Sequence, residues 1–152
     1  MSFTNYKYGT GLGNVGSYMV SGKPYLSSSL VPAAGTATPS GNSAVFHKFD
    51  FPAVTKEIVV SCSGSHLGGP NNVRLAFSER GLIDHVKKYF LLEEDSGGPL
   101  ILNVKATELY VMSDNGGVPR VSVYASLTGI PTDRITNISP SGSNWSGSSG
   151  VG

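Results

Sequence analysis

Charge is scarce in this chain: Lys, Arg, Asp and Glu make up 14% of its 152 residues, against roughly a quarter in an average soluble domain. The formal net charge is +1 and the isoelectric point is near 7.9. Such a balance offers neither a basic footprint for nucleic acid nor a polybasic patch for anionic lipid. A single cysteine, Cys62, excludes an internal disulfide and a Cys-based zinc cluster. No stretch approaches the ~18 consecutive apolar residues of a membrane-spanning helix. The opening Met1-Ser2-Phe3-Thr4-Asn5 has no basic segment leading into an apolar one. The expectation is a chain folded in a reducing cytosol, with neither nucleic acid nor membrane as partner.

What the chain has in quantity is turn chemistry. Its 20 Gly, 9 Pro and 22 Ser fill a third of all positions. With 39% hydrophobic residues it remains apolar enough to fold, and one domain of ~150 residues can bury about 68–70% of its unfolded surface.

Periodicity divides the sequence into three. Residues 1–42 are broken by Gly9-Thr10-Gly11-Leu12-Gly13, by Ser27-Ser28-Ser29 and by the Pro32 to Gly41 stretch, and read as an extended N-terminal arm. Within the arm, 16–22 has the alternation of a short strand through Tyr18 and Val20. Tyr6, Tyr8, Tyr18 and Tyr25 are its spaced aromatic anchors. Residues 43–130 carry short apolar blocks at 43–51, 57–63, 72–77, 88–93, 100–104, 108–112 and 121–127. Several alternate with period two, notably Val73-Leu75-Phe77 and Val121-Val123-Ala125-Leu127; Ile58-Val59-Val60 is a β-branched run typical of a buried strand. Turn clusters at Gly64-Ser65, Gly68 to Asn72, Ser96 to Pro99 and Asp114 to Gly117 separate them. The one helix candidate, 79–88, is interrupted by Gly81. Strands this short and this closely spaced predict an all-β fold, a single antiparallel β-sandwich or jelly roll. Residues 131–152 form a Gly/Ser-rich C-terminal arm whose lone tryptophan, Trp145, reads as an anchor seated in a pocket.

Several motifs tempt toward chemistry. Asp95-Ser96-Gly97-Gly98-Pro99 resembles the nucleophile loop of chymotrypsin-like proteases, but Glu94 stands where that family has glycine. His47, His66 and His85 also lack the family's surroundings, so the segment reads as a hairpin turn. Gly11-Leu12-Gly13-Asn14-Val15-Gly16 has the spacing of a dinucleotide loop without the strand before or the helix after. The histidines lie 19 residues apart, which is no metal spacing. The acidic triplet Glu93-Glu94-Asp95 reads as a solvated strand end, the sequons at Asn137 and Asn144 as chance, and Cys62 as a small core residue. The expectation is no enzyme, no catalytic residue, no cofactor and no metal.

Taken whole, the chain resembles the small β-sandwich structural proteins of virus particles: minor capsid, decoration or vertex proteins of bacteriophages and other double-stranded DNA viruses. The features that carry the likeness are the 11–22 arm, the strand series 58–63, 73–77 and 100–104, and the closing 121–130 segment. The resemblance implies a homo-oligomer made in the host cytoplasm and located in the virion. It would dock on neighbouring subunits and other virion proteins through its arms, with Tyr6, Tyr8, Tyr18, Tyr25 and Trp145 at subunit interfaces. Three alternatives stand beside it: a glycan-binding module using Tyr89, Tyr110 and Tyr124, a small hydrolase built on Ser96, and a subunit of a cellular filament.

Overall fold

The computed structural model describes residues 15–18, 24–31, 46–64, 71–82, 88–94, 98–114 and 117–135. They form eight strands: β1 (Tyr25–Leu30), β2 (His47–Asp50), β3 (Thr55–Ser63), β4 (Val73–Ala76), β5 (Phe90–Leu92), β6 (Leu100–Leu102), β7 (Glu108–Ser113) and β8 (Arg120–Leu127). These make two four-stranded antiparallel sheets, β1-β8-β3-β6 and β2-β7-β4-β5. The expected all-β sandwich is what the chain adopts.

Pairing follows a simple rule. β1 pairs with β8, β2 with β7, β3 with β6 and β4 with β5. The chain is a ribbon doubled back between β4 and β5 and wound so that successive pairs fall in alternate sheets. Two further ladders, β3 with β8 and β4 with β7, join the pairs within each sheet.

Period-two alternation sends one set of side chains from each sheet into a shared core. On β8, Val121, Val123 and Ala125 are buried; opposite them on β3 stand Cys62, Val60 and Ile58. The other sheet answers with Phe49, Leu75, Leu109 and Val111, all in the same cluster. Each large side chain so buried contributes about 1.5–3 kcal/mol.

One end of this core is closed by threonines. At a register shift between Thr55 and Glu57, the Thr55 hydroxyl donates to the Val104 carbonyl at 2.7 Å and accepts the Ala106 N–H at 3.0 Å. The Thr128 hydroxyl donates to the Val54 carbonyl at 2.7 Å and accepts the Ile130 N–H at 3.2 Å. Both residues are buried, so these bonds satisfy backbone groups that water cannot reach.

The two sheets differ on their outer faces. That of β2-β7-β4-β5 is covered by the chain's own 3₁₀ turn at Arg80–Leu82, where Leu82, Ala76 and Met112 make a second small core bordered by Phe46, Tyr89 and Tyr110. Arg74 closes it by pairing with Asp114, donating to the Leu82 carbonyl and lying 4.7 Å from the centre of the Tyr89 ring.

Four expectations are corrected. The sandwich does not begin at residue 43, because β1 lies inside the segment read as arm. Its serines hid it: at an edge, only one flank is paired, and Ser27 and Ser29 occupy its half-buried inward positions. Where a strand was expected over 16–22, Val15–Tyr18 form a 3₁₀ turn, and 19–22 lie outside the described residues. Within the helix candidate at 79–88 the described residues hold a short 3₁₀ turn at Arg80–Leu82, whose Gly81 N–H bonds back to Ser78, and 83–87 lie outside the described residues. A Cβ on Gly81 would sit 3.0 Å from the Lys88 carbonyl oxygen. Finally, the run Ile58-Val59-Val60, read as a buried strand, is buried only at Ile58 and Val60, since Val59 points outward.

Replacing Thr55 with Val keeps the volume and strands the Ala106 N–H and the Val104 C=O. We expect the variant to lose about 1–3 kcal/mol per stranded group, read as a lower urea midpoint at unchanged slope. Lys56→Ala, one residue away and exposed, should move stability by less than about 0.5 kcal/mol.

Candidate functional site

The outer face of the β1-β8-β3-β6 sheet is the surface that stands apart. Register places Leu26 opposite Tyr124, Tyr124 opposite Val59, and Val59 opposite Ile101. One transverse row of outward side chains therefore crosses all four strands, and every member is apolar or aromatic. Leu26 is 71% exposed, Ile101 56% and Tyr124 38%. Beside it runs a row of hydroxyls, Ser28 opposite Ser122 and Ser122 opposite Ser61, with the Ser122 hydroxyl donating to that of Ser28 at 3.1 Å. The third row holds Leu30, 53% exposed, with Arg120 and Ser63. Leu26, Ser28, Val59, Ser61, Ser122 and Tyr124 line a shallow depression there.

On β1 the usual amphipathic order is inverted. Leucines occupy two of the three outward positions and serines two of the inward ones. Scattered apolar residues on a surface are ordinary; a continuous row that no element covers among the described residues has the character of a contact surface.

The opposite sheet carries the principal polar cluster. Lys48 bridges Asp50 at 2.7 Å and Glu108 at 3.0 Å, and the Tyr110 hydroxyl donates to the same Glu108 oxygen at 2.6 Å. The two carboxylates hold the Lys48 ammonium well above the ordinary lysine range. Burial, and then the bond to Glu108, pushes the Tyr110 phenol up to about 12. Both groups keep their protons at neutral pH, so neither is a general base; the cluster ties β2 to β7.

The other sequence candidates separate as follows. Tyr25 is half-buried, edge-to-face on Phe51 at 5.1 Å between ring centres, and packs on its own core. Tyr18 ends the 3₁₀ turn, while Tyr6, Tyr8 and Trp145 lie outside the described residues. Ser96 lies outside them too, with His66, His85 and Asp95. His47 is half-buried against the Phe49 ring at 4.6 Å. Glu94 of the acidic triplet accepts the Gly64 N–H at 3.0 Å and the Asn71 N–H at 2.8 Å, tying together the two ends of the connection from β3 to β4. Gly64 is needed there, because its φ of 154° disfavours a side chain and a Cβ would lie 3.1 Å from Asn71 Nδ2. Cys62 is half-buried and its thiol is pushed up, first by burial and then by the Glu94 charge. Among the described residues no three His, Cys, Asp or Glu side chains converge as a metal site would require. Tyr124 faces out from one sheet, whereas Tyr89 and Tyr110 border the small core on the other. The three tyrosines do not share a platform.

Sequence reasoning missed Leu26, Leu30, Val59 and Ile101. The signal was present as apolar residues on the outward parity of a strand, as in Leu100-Ile101-Leu102, where Ile101 is the exposed middle member. Comparison with family models, with curated proteins and with solved structures finds no match to this chain.

In an alkaline titration followed by tyrosinate absorbance, Tyr110 should ionise near pH 12, and Tyr110→Phe should remove that component. Its folded-state value lies above the ordinary 10. Its contribution to stability is therefore fully present below pH 10 and fades as pH rises toward 12.

Proposed function

We propose that this chain is a structural subunit of a virus particle, a minor capsid or decoration protein that associates with copies of itself and with neighbouring virion proteins. The observation that carries this reading is the open sheet face, with its apolar row of Leu26, Tyr124, Val59 and Ile101 running from one sheet edge to the other. A fold alone does not assign a function, but this one is compatible. Pairing strand n with strand 9 − n across two sheets is compatible with the winding of a jelly roll, an architecture used by viral capsid and lectin domains. Scarce charge serves the same end, because weakly charged subunits pack without strong mutual repulsion. In this reading the sandwich is a rigid brick.

A glycan-binding reading draws on the Ser28, Ser122 and Ser61 hydroxyls beside the Tyr124 ring. It predicts glycan-array signal from a monomer.

Light scattering behind a sizing column, with negative-stain microscopy, tests the assembly reading on the full chain. The expected result is a defined oligomer, ring or shell. Tyr124→Lys combined with Ile101→Lys should weaken association at least tenfold, about 1.4 kcal/mol, with an unchanged melting curve. A chain that stays monomeric at about 1 mM, or a double variant that associates as before, would overturn it.

A further inference from the structure

Among the described residues β1 is bonded on one side only, to β8. Val31 N–H donates to the Pro119 carbonyl at 2.8 Å, continuing the register in which Tyr25 faces Ala125 and Leu30 faces Arg120. In an antiparallel ladder the residues alternate between bonding the partner and turning their N–H and C=O the other way. The odd residues of β1 therefore bond β8, and Leu26, Ser28 and Leu30 offer their backbone groups to the open edge.

Natural edge strands are guarded by charge, proline or a bulge. From Tyr25 to Leu30 there is no charged residue and no proline, and the β1–β8 register runs without a shift. The same stretch is palindromic: Leu26-Ser27-Ser28-Ser29-Leu30 reads alike in both directions. An antiparallel strand laid against its own copy about a two-fold axis reads the sequence in reverse, so a palindrome meets itself residue for residue.

We propose that two copies of this chain join edge to edge through β1, with the two-fold axis at Ser28, giving one continuous eight-stranded sheet. The proposal rests on the self-association reading above and adds to the outer face a second contact, at the sheet edge. Ser28 then faces Ser28 of the second copy, and Leu26 faces Leu30 at both ends. All three open residues are used, for six backbone hydrogen bonds. Moving the axis to Ser27 or Ser29 keeps the backbone parity but sets leucine against serine and loses bonds at one end; a half-residue shift breaks the parity.

Side chains agree with this register. The leucines exposed by 71% and 53% cover one another on the outer face. The apolar row extends from Ile101, Val59, Tyr124 and Leu26 onto the second copy's Leu30. The serine row becomes a hydroxyl ladder across the axis. Arg120, the nearest charge within the sheet rows, lies three strands across and four residues along from its mate, about 19 Å by sheet spacing, which is beyond the ~8–10 Å screening length. The arrangement is isologous, as closed two-fold dimers require.

Thiol cross-linking tests the register on the full-length chain in a Cys62→Ala background. Ser28→Cys places its thiols on strands whose Cα atoms are about 5.5 Å apart, within reach of a short bis-maleimide. Ser122→Cys, two strands further apart on the same row, lies at about 14–15 Å and should not be bridged. Leu26→Lys with Leu30→Lys sets like charges directly opposite. Being at exposed positions, this double change should leave the fold intact while weakening dimerisation at least tenfold by sedimentation equilibrium. Cross-linking of the Ser28→Cys variant and not of the Ser122→Cys variant, with the oligomer mass lowered by the lysines, supports the paired edge. If the chain associates but the Ser28→Cys variant is not bridged and the lysines change nothing, the paired edge is wrong and the assembly reading survives. If the chain remains monomeric at about 1 mM, both fall.

Discussion

The ladder between β3 and β8 is the constraint on which the rest of the molecule depends. Its registered pairs run from Thr55 opposite Leu127 to Ser63 opposite Arg120, and each of these central strands carries one edge strand, β1 on β8 and β6 on β3. Register here fixes everything downstream. A slip by one residue would turn Val121, Val123 and Ala125 out to solvent and bring Ser122 and Tyr124 inward. The same register aligns Leu26, Tyr124, Val59 and Ile101 into a row, so core and outer face are consequences of a single alignment.

The two sheets spend their outer faces differently. The β2-β7-β4-β5 sheet covers itself with the Arg80–Leu82 turn, an arginine stacked on Tyr89 and an ion-paired cluster around Lys48. The β1-β8-β3-β6 sheet has neither a covering turn nor an ion pair among its described residues. The outward residues of its two central rows are leucine, valine, isoleucine, tyrosine and serine, side chains that lose little when water is removed from them. Among the described residues, then, one sheet is capped by the chain itself and the other presents an apolar outer face.

Much of the sandwich was legible in the sequence. β4 and β8 announce themselves by alternation, and the turn clusters bound them, because a half-buried strand must write its two faces into successive residues. β1 did not, for the same physical reason in reverse: Leu26-Ser27-Ser28-Ser29-Leu30 puts its apolar side chains outside, which no rule based on burial within one chain anticipates. Val59 and Ile101 were masked by inward neighbours equally apolar, so that neither stood out as an outward residue. The tyrosines chosen from the sequence were selected for size, and the one described in detail, Tyr25, packs on Phe51 of its own core. Outward parity, not aromatic character, marks the candidate face.

The doubled-ribbon winding also orders events in time. β1 is bonded to β8, which follows it near the far end of the described chain, and contacts so distant in sequence form late and slowly. A ribosome releases the β1 segment long before it has made the strand that holds it. Until β8 arrives, Leu26 and Leu30 belong to no sheet and have no aligned backbone to offer. Association by such an edge is thereby deferred until the whole sandwich exists, which separates folding from assembly without any additional device.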